Sequence, residues 1–195
     1  MDSIFSLKGI LVFVIFLPVL GLNAQSKFER ETRIDKQEAP AKAIDFIDRS
    51  DFNSKIKWYK EISQEGKSFE AKTRRKGYKF SIEFDTAGNV LDVEKEVKLV
   101  DIDTELIQKI EKSLTNEFTK FKIVKIQLQW KADDEVLIEL INTDNTSNKV
   151  SVRYEIVVKG KKEGFSKFYE LLLDDRGKVL RTLEILDKNT DILMF

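Results

Sequence analysis

Asp85-Thr86-Ala87-Gly88-Asn89-Val90-Leu91 has a counterpart later in the chain, Asp174-Asp175-Arg176-Gly177-Lys178-Val179-Leu180. In both stretches an Asp opens a four-residue turn and a Gly closes it, as a type I turn with a glycine bulge requires between antiparallel strands. Upstream of the first copy, Phe80, Ile82 and Phe84 alternate with Ser81 and Glu83, which predicts a strand with one apolar and one polar face. The runs 55–63, 67–75, 78–85 and 89–99 all alternate in this way. Gly66, Gly77 and Gly88 stand at their joints, where a positive φ is cheapest. An antiparallel meander follows from this. Ahead of it, Ala39, Ala43, Phe46 and Ile47 recur at helical spacing and Pro40 suits a first turn, which predicts a helix over 38–50.

The order then begins again. Asp103 can cap a second helix, with Glu105 favourably placed in its first turn and Leu106, Ile107, Ile110, Leu114 and Phe118 forming its apolar stripe. Strands are expected at 122–131, 150–159, 165–174 and 178–186. Phe69-Glu70-Ala71 also matches Tyr154-Glu155-Ile156 one strand before each turn. These matches predict an α+β fold in which a helix packed on a four-stranded antiparallel sheet occurs twice, as αββββ units over 37–100 and 101–188. Between Ala132 and Lys149, the apolar run Val136 to Ile141 and the polar tip Asn142 to Asn148 suggest an elongated hairpin. Residues 25–36 read as a polar linker or a frayed strand, and 189–195, ending Ile192-Leu193-Met194-Phe195, as a tail.

The chain has 195 residues, 34 Lys+Arg against 34 Asp+Glu, no His and no Cys. Imidazole and thiolate nucleophiles, CxxC redox pairs and Cys/His zinc sites are therefore excluded. The balanced charge offers no overall field to draw in nucleic acid, so no nucleic-acid partner is expected. Residues 1–24 read as a secretory signal: Lys8 with the α-amino group, an apolar run from Gly9 to Leu22, and a cleavage point between Ala24 and Gln25. That run falls short of the ~20 residues a bilayer-spanning helix needs. The expectation is a periplasmic or secreted protein with no stable membrane insertion after cleavage.

The residues Pro40 through Ile47, Lys57-Trp58, Phe69-Glu70-Ala71 and Phe84-Asp85-x-x-Gly88-x-Val90-Leu91, with Glu94 and Glu96 beyond, resemble the PepSY-like domain of exported Bacteroidota proteins. That family is structurally related to the β-lactamase inhibitory protein (BLIP-like). Residues 37–99 carry the resemblance well and 103–186 more loosely, since the second unit lacks the Lys-Trp pair. The ending Leu22-Asn23-Ala24-Gln25 also resembles signal peptides of that group. The resemblance implies a helix across a four-stranded sheet and a non-catalytic binding module, with an inhibitor role known for relatives.

Neighbouring Trp58 and Tyr59 must point to opposite faces of their strand; Trp58 shares its face with Ile56 and Ile62, a core pattern, which makes Tyr59 the better contact residue. Trp130 shares its face with Ile126 and Leu128 and reads the same way as Trp58. Arg74 and Arg75, within the basic run Lys72 to Lys79, could clamp an acidic partner or guard a sheet edge. Asp85, Gly88, Asp174 and Gly177 are structural turn residues. Gly66-Lys67-Ser68 lacks the first glycine and the following helix of a phosphate loop. Asp101-x-Asp103-x-Glu105 and Asp133-Asp134-Glu135 lack the glycine and distal Glu of a calcium loop and are explained by a cap and a turn. No catalytic residue, cofactor or metal is expected. The resulting expectation is a non-enzymatic module that binds an unidentified protein or peptide across its sheet faces through Tyr59, Trp58, Trp130, Arg74 and Arg75. The alternative is a carrier of a small amphipathic ligand or lipid.

Overall fold

The computed structural model describes residues 26–186. The signal segment, its cleavage point at Ala24 and Gln25, and the tail 189–195 lie outside the described residues. Ten strands run in chain order: β1 Ser26–Lys27, β2 Glu29–Ile34, β3 Lys57–Ser63, β4 Gly66–Arg75, β5 Tyr78–Phe84, β6 Val90–Val97, β7 Lys120–Lys131, β8 Ser151–Lys162, β9 Phe165–Leu173 and β10 Val179–Ile185. Three α-helices interrupt them: α1 Ala41–Arg49, α2 Thr104–Glu117 and α3 Asp134–Thr143.

All ten strands belong to one sheet, ordered β1-β10-β9-β8-β7-β6-β5-β4-β3-β2. Two αββββ units, each on its own four-stranded sheet, do not form. β6 pairs directly with β7, from Val93 opposite Trp130 to Val97 opposite Ile126, so the edges that two separate sheets would expose satisfy each other. The polar segment expected to be a linker or a frayed strand supplies the remaining two strands. β1 pairs in parallel with β10, and β2 pairs antiparallel with β3. Only Phe28 separates β1 from β2, so one short stretch lies along both ends of the sheet and curls it into a nearly closed barrel. The Arg181 guanidinium on β10 donates to Glu65 in the β3–β4 turn at 3.1 Å, bridging the same seam.

The main apolar faces of β3 to β9 turn outward, beneath the helices. Ala43, Phe46 and Ile47 of α1 and Leu137, Ile138, Leu140 and Ile141 of α3 pack on Trp58, Ala71, Phe80, Ile82, Phe84, Val93 and Trp130. Ile110 and Leu114 of α2, with Phe118, cover Ile126, Ile156, Val158, Tyr169, Leu171 and Leu173. The expected hairpin after Ala132 is the helix α3. Leu137, Ile138, Leu140 and Ile141 form one face at helical spacing, Asp134 and Glu135 suit the positive N-terminal end, and Asp144 closes it in the left-handed conformation at φ 62°. Asp103 caps α2 by accepting from the Glu105 and Leu106 amides at 2.9 and 3.2 Å.

The two matched turns form as read. The Gly88 amide donates to the Asp85 carbonyl at 3.0 Å and the Gly177 amide to the Asp174 carbonyl at 3.1 Å. Gly88, at φ +85°, lies under the start of α1, where a Cβ would stand 2.9 Å from the Ala43 nitrogen and from the Pro40 Cβ. Gly77 has the same φ with nothing within 4 Å of such a Cβ. Both Gly→Ala changes incur the conformational cost of positive φ, roughly 1 kcal/mol, and only Gly88→Ala also displaces a helix. Urea denaturation should therefore show Gly88→Ala less stable than Gly77→Ala by at least about 1 kcal/mol, the scale of an overpacked core site.

Candidate functional site inside the closed sheet

Alternation that sends apolar side chains out to the helices sends polar ones inward, and closure removes them from water. Glu61 on β3, Glu70 on β4, Asp92 and Glu94 on β6, Gln127 and Gln129 on β7, Glu155 on β8 and Glu170 on β9 are all buried. Glu29 of β2 and Glu83 of β5 are half-buried beside them. They line two adjoining cavities of about 560 and 460 Å³ that share Lys27, Glu29, Glu61, Glu83, Glu94 and Glu155.

Carboxylates outnumber the ammonium groups paired with them. The Lys27 Nζ, from β1, stands 2.6 Å from Glu170 and 3.2 Å from Glu29. The Lys72 Nζ stands 2.8 Å from Glu31 and 3.2 Å from Glu70. The Gln127 Nε2 donates to Glu94 at 2.6 Å and the Gln129 Nε2 to Asp92 at 3.2 Å. The Ser81 hydroxyl donates to Glu70. Several buried acceptors nevertheless have no hydrogen-bond partner among the described residues: Asp92 Oδ1, Gln127 Oε1 and Gln129 Oε1. A buried acceptor left unpaired costs about 1–3 kcal/mol, so this interior is set up to receive donors or positive charge.

The electrostatics follow from burial. Desolvation, then the neighbouring Glu29 charge, pushes the Glu61 carboxyl up to about 9, and the protonated Glu61 shares a hydrogen bond with Glu29. Glu29 itself is held below its ordinary value: burial raises it, but the Lys27 charge and the bonds from Glu61 and Lys27 outweigh that. Burial pushes Glu70 and Glu170 to about 7 and Asp92 to about 6. Burial and surrounding carboxylates drive Glu83 and Glu94 well above the usual range. Lys27 titrates well above an ordinary lysine because Glu155, Glu170 and Glu29 outweigh its own desolvation.

The residues singled out from the sequence are dispersed. Trp58 and Trp130 lie in the core under the helices, 3% and 7% exposed. Arg75 is buried on the outer face, donating to the Asp144 carboxylate at 2.9 Å and to the Asn142 carbonyl at 2.8 Å, where it holds the end of α3. Tyr59 and exposed Arg74 line the larger cavity, and the Lys72 ammonium lies 5.1 Å from the Tyr59 ring centre. Of the inward carboxylates, Glu70, Glu94 and Glu155 stand out in the sequence only as parts of matched motifs, and none as an enclosed group, because an alternating polar face ordinarily means a solvated one. A signal was present. With the strands in register, Glu31 faces Glu61, Glu70 faces Glu83 and Glu83 faces Asp92, like-charge pairs that an ordinary solvated sheet avoids.

No family model matches this chain, and no curated protein is similar to it. The PepSY-like resemblance thus has no support from those comparisons. A solved structure from Bacteroides eggerthii, described as a candidate periplasmic protein, is similar in fold with a TM-score of 0.51 at 15% identity. The match covers 75% of this chain and 88% of that one. At that identity the likeness concerns the fold alone. No helix among the described residues is long and apolar enough to cross a membrane.

An acid whose pKa is raised by folding contributes stability that is complete below its unfolded value and lost as pH rises through the folded one. For Glu61 that window runs from the ordinary 4.5 to about 9. Glu29, shifted the other way, loses its contribution only below 4.5. In chelator-containing buffer the melting temperature followed by circular dichroism should therefore fall between pH 5 and pH 8.5, by at least about 5 °C at 2–4 °C per kcal/mol. Glu61→Gln, which mimics the protonated acid, should flatten that slope.

Proposed function

We propose that this protein is an exported, non-catalytic binding protein of the cell envelope that takes a small cationic ligand inside its closed sheet. The observation that carries the reading is the set of buried, unpartnered acceptors, Asp92 Oδ1, Gln127 Oε1 and Gln129 Oε1, among carboxylates in excess of their lysines. A cavity of about 560 Å³ falls in the range of small-ligand sites, about 300–1,000 Å³. The likeness to a candidate periplasmic protein and the signal-like residues 1–24 support an envelope location.

The non-catalytic part of the proposal rests on spacing. Glu29 and Glu61 are hydrogen-bonded to each other, whereas the paired carboxyls of glycosidases stand about 5–9.5 Å apart with substrate or water between them. Binding across an open sheet face has less support, since Trp58 and Trp130 lie under helices and Arg75 is committed to α3. A lipid carrier also fits poorly, because both cavities are lined mostly by charged and polar side chains, with Leu91, Leu172 and Leu183 the few aliphatic ones.

A thermal-shift screen in low-salt buffer tests ligand class. Spermidine or divalent cations at about 100 times their dissociation constant should stabilise by about 2.7 kcal/mol, while citrate and fatty acids should not. A shift by fatty acids alone would contradict the proposal.

A further inference from the structure

Within that cationic reading, on which the following rests, carboxylate oxygens gather into two compact trios. Single carboxylate oxygens of Glu29 on β2, Glu61 on β3 and Glu83 on β5 all lie within 4.8 Å of one another. Oxygens bound 2.3–2.6 Å from one calcium ion are separated by no more than about 5 Å, so these three can share an ion without moving the backbone. A second trio, Glu31, Glu61 and Glu70, has similar spacing, but Lys72 already lies 2.8 Å from Glu31 and 3.2 Å from Glu70.

A separate observation points to the same place. Asp92, 4% exposed, stands directly opposite Glu83 in the β5–β6 ladder. Its Oδ2 is held by Gln129 at 3.2 Å and by Lys131 at 3.4 Å, while its Oδ1 is fully buried with no hydrogen-bond partner among the described residues. Asp92 lines the same cavity as Glu29, Glu61 and Glu83. A carboxylate fixed through one oxygen and unpartnered through the other has the arrangement of a preorganised ligand whose acceptor awaits a cation. We propose that Glu29, Glu61 and Glu83, with Asp92 opposite Glu83 in the ladder, form a calcium site inside the nearly closed sheet.

The donor set selects the metal class. Every candidate donor is an oxygen and the chain contains no His or Cys, which favours a hard cation over zinc or copper. Calcium accepts irregular geometry and several carboxylates. Magnesium demands a near-octahedral shell at about 2.0–2.1 Å and keeps its waters. The ion would also compensate repulsion among the three glutamates, of which Glu29 alone forms an ion pair among the described residues, with Lys27 at 3.2 Å.

The test is isothermal titration of the exported full chain, stripped with chelator, against calcium chloride, magnesium chloride and spermidine in separate runs. Calcium should bind with a stoichiometry near one and more tightly than magnesium. Glu83→Gln and Asp92→Asn should each weaken it at least tenfold, while Glu111→Gln on the exposed side of α2 should leave it within twofold. Calcium affinity unchanged in Glu83→Gln and Asp92→Asn would overturn this site. Spermidine binding without calcium binding would overturn the calcium site and leave the cationic-ligand reading standing. Binding of none of the three would overturn both. Should the variants fail to fold, terbium decides on the unaltered chain. Tyr59 lines the cavity and should sensitise terbium emission that calcium then displaces, and absence of that emission overturns the proposal.

Discussion

Residues 26–34 pair with both ends of the sheet, and the rest of the structure depends on that double engagement. β1 contributes two residues beside β10, and β2 contributes six beside β3. Without them the sheet would end in two open edges and its polar face would be wet. With them the same side chains become an enclosed interior. The pairing of β1 with β10 also brings the Lys27 ammonium within 2.6 Å of Glu170, so the strand at the seam brings in a cation that the acidic interior needs.

That interior opposes folding. Burying a charged carboxylate costs several kcal/mol unless it is paired or protonated, and this protein uses both remedies. Glu170, Glu31 and Glu70 have lysines, while Glu61 retains its proton far above the ordinary range. The offsetting term is the outer face, where α1 and α3 cover one apolar cluster and α2 the other. Oil lies outside the sheet and charge within, the reverse of a sheet with a wet outer surface. Proteins retain such unfavourable groups most often where a ligand uses them.

Much of the chain could be read without coordinates. The eight strands from β3 to β10 follow from alternation, and the caps and turns at Asp103, Gly88 and Gly177 form as their residue types dictate. Three things could not be read. Alternation shows which residues share a face but not whether that face meets water, so Glu61, Glu83 and Asp92 looked like ordinary solvated positions. Residues 26–34 stayed open between linker and frayed strand because Glu29-Arg30-Glu31-Thr32-Arg33 has polar residues on both faces, so alternation gives no sign of which face is covered. The helix α3 differs from the expected hairpin because a short apolar stretch, Val136-Leu137-Ile138 and Leu140-Ile141 with only Glu139 between, suits a buried strand as well as a buried helix. The tandem units do not form because β6 pairs with β7 across α2 and because β1 and β2 extend the two ends of the sheet.

The carboxylates of the inner face are enclosed rather than wet, and titration of the folded protein in chelator, followed by NMR of the glutamate side-chain carboxyl carbons with Glu61→Gln to assign the key resonance, reads that enclosure. Glu61 should titrate near 9, and Glu70 and Glu170 near 7. Glutamates that all titrate near the ordinary 4.3 of a solvated side chain would show an open, water-filled face and contradict that enclosure.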